Sequence, residues 1–513
     1  MKRNKFIYIS FICLLVLWSC EQEFKVIQPA TPTPPDPEVP SAGSADFTKF
    51  IAIGNSLTAG FQAAALFNEG QQTSLGAILN KQFEAVGAGT FNQPDINSEN
   101  GFNASFSDLS DPLNPVILGR LILAGDPPAP TPTSSDLNAV PDPTINPGFV
   151  YSGETSQLNN FGVPGILLGQ ALIPETGNWT LAGTDPRFNP YYARFASNPG
   201  VSTILTDALS AQGTFFLFWL GNNDVLGYAT TGGSGAVPLT DPTSFAFQYQ
   251  TAITAITTDP NIKGVVGNIP DVTSIPFFTL VPYNAIPMDE TTATLSNGAY
   301  TSYNDGLAGA AQFMIIDQAE MDKRTISFAA GNNAIVIEDE TLSDISLPDG
   351  QGGTIELPKI RQATANDLIL LPASALLGTL ADPNNPATVY GVGVALADNL
   401  VLIEDEVQEI KDAITAFNTT IKGIADGSDR IAYADVNKTL ADLATAGVDS
   451  QNGISITPSL VPPTGVFSED AVHPNSRGYA VAANTFIEAI NQEFGANVLK
   501  VNIGNYKGTG LPQ

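Results

Sequence analysis

The chain has 513 residues, of which 43% are hydrophobic and only 14% are charged. This length and composition allow a large buried core and are far from the polar, charge-rich signature of a disordered protein. The 21 basic residues against 51 acidic ones give a net charge of −30. Such a chain is repelled by nucleic acid and by anionic membrane surfaces, which argues against a role in nucleic-acid binding.

The N-terminus has the pattern of an export signal. Three cationic residues precede an apolar run over 6–18, which is too short to span a bilayer as a stable helix. The segment Leu17-Trp18-Ser19-Cys20 at the end of this run resembles a bacterial lipobox, in which the cysteine becomes the lipidated first residue. We predict a lipoprotein signal peptide over 1–19, and over 20–46 a lipidated N-terminus with a Pro-rich tether that attaches the exported protein to the outer membrane of a Gram-negative cell. The alternative is an ordinary signal peptide with a chance cysteine.

Near-continuous apolar runs further along the chain predict buried strands of a parallel sheet, because strands covered on both faces do not alternate in polarity. These runs cover 47–53, 215–220, 264–269 and 431–436.

Amphipathic patterns between these runs predict helices. One follows the Asp241-Pro242 start signal, one covers 403–424, and the last follows Arg477. Alternation of strands and helices predicts an α/β fold with a parallel sheet.

Two segments, at about 66–150 and 280–400, lack this alternation, and we interpret them as large insertions on the sheet rather than independent folds. The main domain is predicted over 47–497, with a C-terminal tail over 498–513.

The composition contains one histidine, His473, so any histidine-dependent chemistry must use it. Asp470 precedes it by three residues and can accept the Nδ1 proton, which leaves Nε2 free to act as a base. A single histidine is more often a surface or core residue, and that alternative stays open here.

A candidate nucleophile follows the first predicted strand in Gly54-Asn55-Ser56-Leu57. Ser56 is therefore expected at the carboxyl end of a strand, where α/β sheets place their sites. The alternative is that Ser56 caps the next helix after a glycine turn.

Two further blocks contain groups suited to binding a developing oxyanion. Gly221-Asn222-Asn223-Asp224 closes the second predicted strand, and the Asn223 amide can donate a hydrogen bond. The alternative is an ordinary Asn/Asp turn. The block from Asn160 to Gly165 is a glycine turn in which a backbone N–H can approach a substrate closely.

Taken in chain order, the four blocks resemble those of the SGNH hydrolases, the serine esterases also called the GDSL family. The resemblance implies that Ser56 is the nucleophile and that His473 and Asp470 complete a triad. It also implies an oxyanion hole formed by the Ser56 backbone, Asn223 and Gly165. Gly162 is the second candidate for the glycine, and Asn55 stands where the family usually has Asp.

The same resemblance implies a three-layer α/β/α flavodoxin-like sandwich with a parallel sheet. The implied activity is hydrolysis of carboxylic esters, either acyl-glycan or lipid esters, without a cofactor or metal. We interpret the acidic run over 338–340 as a solvated face. The alternative function is a catalytically silent surface lipoprotein that binds glycan on the same scaffold.

Overall fold

The computed structural model describes residues 39–108, 116–136, 139–144, 146–348, 352–449, 453 and 455–509. The predicted signal peptide, Cys20 and most of the predicted tether lie outside these residues. Within the described ranges, no helix combines the length and the apolar character needed to cross a bilayer.

The described chain contains strands and helices throughout, with bounds as follows. The strands are β1 (Phe50–Gly54), β2 (Leu118–Ala124), β3 (Ala129–Ser134), β4 (Asn160–Gly162), β5 (Phe215–Trp219), β6 (Lys263–Gly267), β7 (Ile286–Met288), β8 (Gly331–Asn333), β9 (Val336–Glu338), β10 (Ile345–Pro348), β11 (Thr354–Leu357), β12 (Ile360–Gln362), β13 (Leu368–Ile369), β14 (Val401–Leu402), β15 (Ile431–Ala434), β16 (Val448–Asp449) and β17 (Ser455–Ile456). The α-helices are α1 (Ser56–Ala59), α2 (Asn68–Gln72), α3 (Leu75–Phe83), α4 (Pro190–Ala193), α5 (Ile204–Ser210), α6 (Asn223–Thr230), α7 (Pro242–Ile256), α8 (Pro276–Thr279), α9 (Glu290–Gln312), α10 (Gln318–Arg324), α11 (Glu404–Asp426), α12 (Val436–Ala446) and α13 (Ser476–Phe494).

A parallel sheet of five strands lies at the centre of the described fold, in the order β4-β1-β5-β6-β15. The predicted α/β class with a parallel sheet is therefore confirmed. Every residue of β1 and β5 is buried, because these strands are apolar on both faces. The edge strand β4 was not predicted as a strand, since its three residues, Asn-Phe-Gly, are too few to form a recognisable apolar run.

Helices cover both faces of β5, as its alternating side chains show. The Phe215 and Trp219 rings contact Phe494 and Phe486 of α13, whereas the Phe218 ring contacts Tyr249 of α7. Because successive side chains of a strand point to opposite faces, α7 and α13 lie on opposite sides of the sheet.

The predicted helices are confirmed with bounds shifted by one or two residues. Helix α7 begins at Pro242, and Asp241 caps it by accepting a hydrogen bond from the Ser244 N–H. Helix α11 has a buried stripe at spacings of three and four residues that faces the sheet and α7.

The segment predicted as a second insertion carries a hydrophobic cluster of its own, which extends from Ile286 to Ile403. Inside it, Arg361 pairs with Asp339 at 2.5 Å and with Asp367 at 2.6 Å, and all three side chains are almost fully buried. The interpretation of 338–340 as a solvated face is therefore wrong for Asp339, because this residue, directly after β9, is buried in an ion pair with Arg361.

The first predicted insertion and the predicted tail both contribute to the main core. Phe83 of α3 packs edge-on against Phe50 of β1, with ring centroids 5.0 Å apart. Near the C-terminus, Val498 and Val501 are buried against the same core. Described residues at both ends of the main domain therefore pack against the sheet or its helices.

Candidate active site

The candidate site lies where the order of the sheet reverses. The chain adds β4 on one side of β1 and β5 on the other, so the carboxyl ends of β1 and β5 lie side by side, with Gly54 paired to Trp219. Open α/β sheets bind ligands at such a position. Ser56 follows β1 and Asn223 follows β5, which brings two of the sequence-predicted residues to one edge.

The local backbone leaves the Ser56 hydroxyl free for chemistry. Asn55 caps α1, because its side-chain oxygen accepts from the Leu57 N–H at 3.0 Å. Ser56 is therefore the first residue of the helix rather than its cap, which removes the structural alternative raised by the sequence. A glycine is required at position 54, since a Cβ there would lie 2.0 Å from the Thr58 hydroxyl oxygen.

A hydrogen-bonded relay joins the three residues predicted to form a triad. His473 Nε2 lies 3.0 Å from Ser56 Oγ, and His473 Nδ1 lies 2.9 Å from Asp470 Oδ2. A carboxylate only accepts, so Nδ1 carries the proton and Nε2 is left to accept from the Ser56 hydroxyl. The Phe61 ring contacts the imidazole ring at a tilt of 56°, with ring centroids 4.8 Å apart. This geometry is that of a serine activated by a general base.

The Asp470 carboxylate is surrounded by donors. Its Oδ1 accepts from the N–H groups of Val472 and His473 at 2.9 and 2.8 Å and from the Ser468 hydroxyl at 3.0 Å. Its Oδ2 also accepts from the Ala64 N–H at 2.7 Å. Burial alone raises the pKa of Asp470, but His473 and these hydrogen bonds outweigh it and lower the pKa to about 2. Asp470 is therefore a charged partner for the imidazole.

Residues with left-handed backbone conformation lie in two turns next to the Asp470 carboxylate. Ala63 and Ala64 have φ values of 52° and 58°, and the Ala63 N–H donates to Ser468 Oγ at 2.8 Å. Ala471, inside the Asp470–His473 turn, has a φ of 63°. Alanine rarely adopts this conformation, and such residues concentrate at functional sites. Sequence reasoning missed Ser468 and the positive φ of these three alanines, since alanine carries no signal for a positive φ.

The candidate oxyanion donors are only partly assembled around Ser56. The Asn223 amide donates one N–H to the carbonyl oxygen of Ile166 at 2.9 Å, which holds α6 next to the Gly165 turn and leaves its second N–H available. In the described part of the chain, no protein atom accepts from the backbone N–H of Ser56 or Gly165. Gly165 has a φ of 75°, which favours glycine, but it is exposed. The alternative, Gly162, is buried in β4.

Asp224 also connects α6 to the segment that follows the Gly165 turn. Its Oδ2 accepts from the Leu168 N–H and its Oδ1 from the Thr240 hydroxyl, both at 2.9 Å. Burial raises the pKa of Asp224 to about 6, and these two hydrogen bonds oppose the rise. Asp224 thus positions the turn after β4 against α6.

An apolar cavity of about 110 Å³ opens next to the relay. Ser56, Asn223 and His473 line one end of it, and Gly165 is not part of its wall. Two buried polar atoms at this end, Asn55 Nδ2 and Asn222 Oδ1, have no hydrogen-bond partner. The rest of the wall is predominantly apolar and consists of Leu57, Trp219, Leu226, Pro270, Val272, Ile275, Val436, Thr439, Leu440, Leu443, Val466, Phe467, Val472, Pro474, Gly478, Val481 and Ala482.

A separate group of carboxylates is the one arrangement among the described residues with the geometry to hold a metal ion. Glu340, Asp398 and Glu406 each place an oxygen within 4.8 Å of the others. Burial, followed by the neighbouring acidic groups, raises the pKa of Glu406 to about 8 and that of Asp398 to about 6. None of the three lines the cavity beside Ser56.

Comparison with known proteins assigns no family. No family model matches the chain, and no curated protein matches it. The functional interpretation therefore depends on the geometry above and on the four short sequence blocks.

Proposed function

We propose that this protein is a serine hydrolase that cleaves carboxylic esters. The observation that carries the proposal is the relay from Ser56 through His473 to Asp470, with donor–acceptor distances of 3.0 and 2.9 Å at the edge of the sheet. A serine that only caps a helix, or a histidine that only packs in the core, would not need this alignment. Neither role would need a neighbouring carboxylate whose pKa is lowered to about 2.

The proposed reaction proceeds in two halves. Ser56 Oγ attacks the ester carbonyl carbon while His473 Nε2 takes the hydroxyl proton, and Asp470 stabilises the resulting imidazolium. The oxyanion accepts from the N–H groups of Ser56 and Gly165 and from the second N–H of Asn223. The C–O bond to the alcohol then breaks, and His473 returns the proton to the leaving oxygen. Water repeats these steps on the acyl-enzyme and releases the acid.

The strand order supports the finer fold assignment within the proposal. Numbered among themselves along the chain, the five strands lie in the order second, first, third, fourth, fifth. This is the order of flavodoxin-like sheets, and helices on both faces of β5 fit a three-layer sandwich. Together with the four blocks, this supports an SGNH-type hydrolase with additional segments at about 66–150 and 280–400.

The proposal includes a lipid anchor at Cys20, outside the described residues, and export to the outer membrane. The pattern before Cys20 supports it, and the strongly acidic composition offers no other attraction to anionic lipid. Replacing Cys20 by Ala is expected to move the protein from the membrane fraction to the soluble fraction; unchanged membrane retention would contradict the anchor.

A fluorophosphonate probe tests the catalytic proposal directly, because it reacts only with an activated serine. We expect labelling of the wild-type protein, no labelling of Ser56→Ala and strongly reduced labelling of His473→Ala. The matched control is Ser210→Ala, an exposed serine of α5, which should label as wild type. Absence of labelling in the folded wild-type protein would reject the enzyme, and glycan binding in that case would support the silent binding lipoprotein.

A further inference from the structure

The apolar cavity beside Ser56 carries information about the substrate. Its polar wall residues gather at the catalytic end, around Ser56, Asn223 and His473. Further away, Thr439 contributes a hydroxyl, but it is paired with Thr485 at 2.9 Å. The Trp219 indole N–H donates to the Asn268 carbonyl at 3.0 Å. The far wall therefore offers no unpaired side-chain donor to a sugar hydroxyl, although it offers extensive apolar contact.

The apolar wall of the cavity extends along α12. Its wall includes Val436, Leu440 and Leu443, which lie on one stripe of α12 at helical spacing. Helix α12 starts just after the carboxyl end of β15 and thus near the catalytic edge of the sheet. From Val436 to Leu443 the stripe spans seven residue steps, or about 10 Å at a rise of 1.5 Å per residue.

The volume is consistent with a hydrocarbon chain of medium length. A water-sized group needs about 10–15 Å³ of such space. The cavity volume of about 110 Å³ therefore accommodates a chain of roughly seven to eleven carbons, each carbon being close to a water molecule in size. An acetyl group would leave most of this apolar space unfilled.

We infer that this cavity binds the acyl chain of the ester, and that the substrates are esters of medium-chain fatty acids rather than acetylated glycans. The inference rests on the proposed ester hydrolysis. An apolar cavity next to Ser56 suits the acyl part, because this part stays bound to Ser56 through both halves of the reaction. The alcohol must leave before water attacks, so it is better placed towards solvent.

The test uses two ester series on the full chain. With nitrophenyl esters from acetate to dodecanoate, we expect kcat/KM to rise by up to about fourfold per methylene and to level off or fall beyond roughly ten carbons. With alkyl acetates from ethyl to decyl, we expect little dependence on chain length. A flat or falling acyl series, or dependence on the alcohol chain alone, would overturn the assignment.

A variant within the cavity sharpens the test. Leu440 is half-buried on the cavity stripe of α12, whereas its neighbour Ala441 is exposed on the same helix. We expect Leu440→Trp to lower the ratio of octanoate to acetate kcat/KM at least tenfold and Leu440→Ala to shift the optimum to longer chains. The matched control Ala441→Trp should keep the wild-type ratio; an unchanged ratio in Leu440→Trp would contradict the inference.

The two proposals fail in distinguishable ways. If Ser56 is not labelled by fluorophosphonate and no ester is cleaved, ester hydrolysis itself is rejected. If Ser56 is labelled and acetate esters are cleaved without preference for longer acyl chains, only the acyl-cavity assignment is rejected. Labelling of the Leu440 variants at the wild-type level would show that they are folded with an intact relay.

Discussion

Two buried carboxylates of this protein, Asp470 before α13 and Glu406 in the first turn of α11, have opposite surroundings. Asp470 accepts from three backbone N–H groups, one hydroxyl and the imidazole, and its pKa is lowered to about 2. Glu406 accepts from the Ile403 N–H at 2.9 Å and faces other acidic groups, and its pKa is raised to about 8. Burial raises the pKa of both, so the number of donors and the sign of nearby charge determine the direction.

The two sites therefore contribute to stability at opposite ends of the pH range. A lowered pKa means that Asp470 stabilises the fold above its unfolded value, an effect that is lost as the pH falls towards 2. A raised pKa means that the stabilising contribution of Glu406 is present below its unfolded value and is lost as the pH rises towards 8. The surroundings of Asp470 favour negative charge, whereas the start of α11 disfavours it.

The largest expected effect is the loss of kcat when the charge of the Asp470 carboxylate is removed. In Asp470→Asn the amide cannot both accept from Nδ1 and satisfy the other donors, so the imidazole shifts to the tautomer whose Nε2 carries the proton. We expect kcat to fall by roughly 10³–10⁴-fold with a nearly unchanged KM. Asp442→Asn, an exposed change on α12, is the control. Near wild-type kcat in Asp470→Asn would mean that the carboxylate is not part of the relay.

Asn223→Ala tests whether the Asn223 side chain donates a hydrogen bond to the oxyanion. Loss of a donor used only in the transition state should lower kcat and kcat/KM alike, by on the order of 10²–10³-fold. Since the amide also donates to Ile166 at 2.9 Å, we expect in addition a loss of about 1 kcal/mol in the free energy of unfolding. Steady-state kinetics measures the loss of rate, and chemical denaturation measures the loss of stability. Reduced stability with intact kcat would mean that Asn223 is only a structural turn residue.

Glu406→Gln tests whether burial and the neighbouring acidic groups raise the pKa of Glu406. Glutamine keeps an acceptor for the Ile403 N–H but cannot ionise. We expect the variant to match wild type near pH 5 and to exceed its free energy of unfolding by on the order of 2 kcal/mol near pH 9. Thermal unfolding at both pH values checks this, with the exposed Asp405→Asn in the same helical turn as the control. A difference independent of pH would contradict the raised pKa.

The smallest effect is expected at Ala471, the residue with left-handed backbone in the turn from Asp470 to His473. Ala471 has a φ of 63°, where glycine avoids the strain that alanine carries. Ala471→Gly should therefore leave the free energy of unfolding unchanged or raise it by less than about 1 kcal/mol. The same substitution at exposed, helical Ala444 should cost about 1 kcal/mol. Equal losses at both positions, measured by denaturation, would contradict strain at Ala471.

Sequence patterns were sufficient wherever a property depends on neighbouring residues. The apolar runs of β1 and β5, the Asp241-Pro242 start of α7 and the stripe of α11 are local, and all are found as predicted. The composition alone also directed attention to His473, because the chain has no other histidine. Local patterns were not sufficient for β4, which is a strand because it pairs with β1 over three residues.

The tertiary structure alone decided the properties that join distant parts of the chain. The donors to Asp470 include Ala64, 406 residues away, and the wall of the cavity combines residues from β5, α6, α12 and α13. Asp339 looked solvated within its acidic run, and only its contact with Arg361, 22 residues further on, makes it a buried partner. The sequence by itself determined which groups are capable of chemistry and which segments form strands and helices, since both follow from residue type and periodicity. Folding decided their protonation and the shape of the apolar space, because solvation and electrostatic neighbours depend on residues brought together through space.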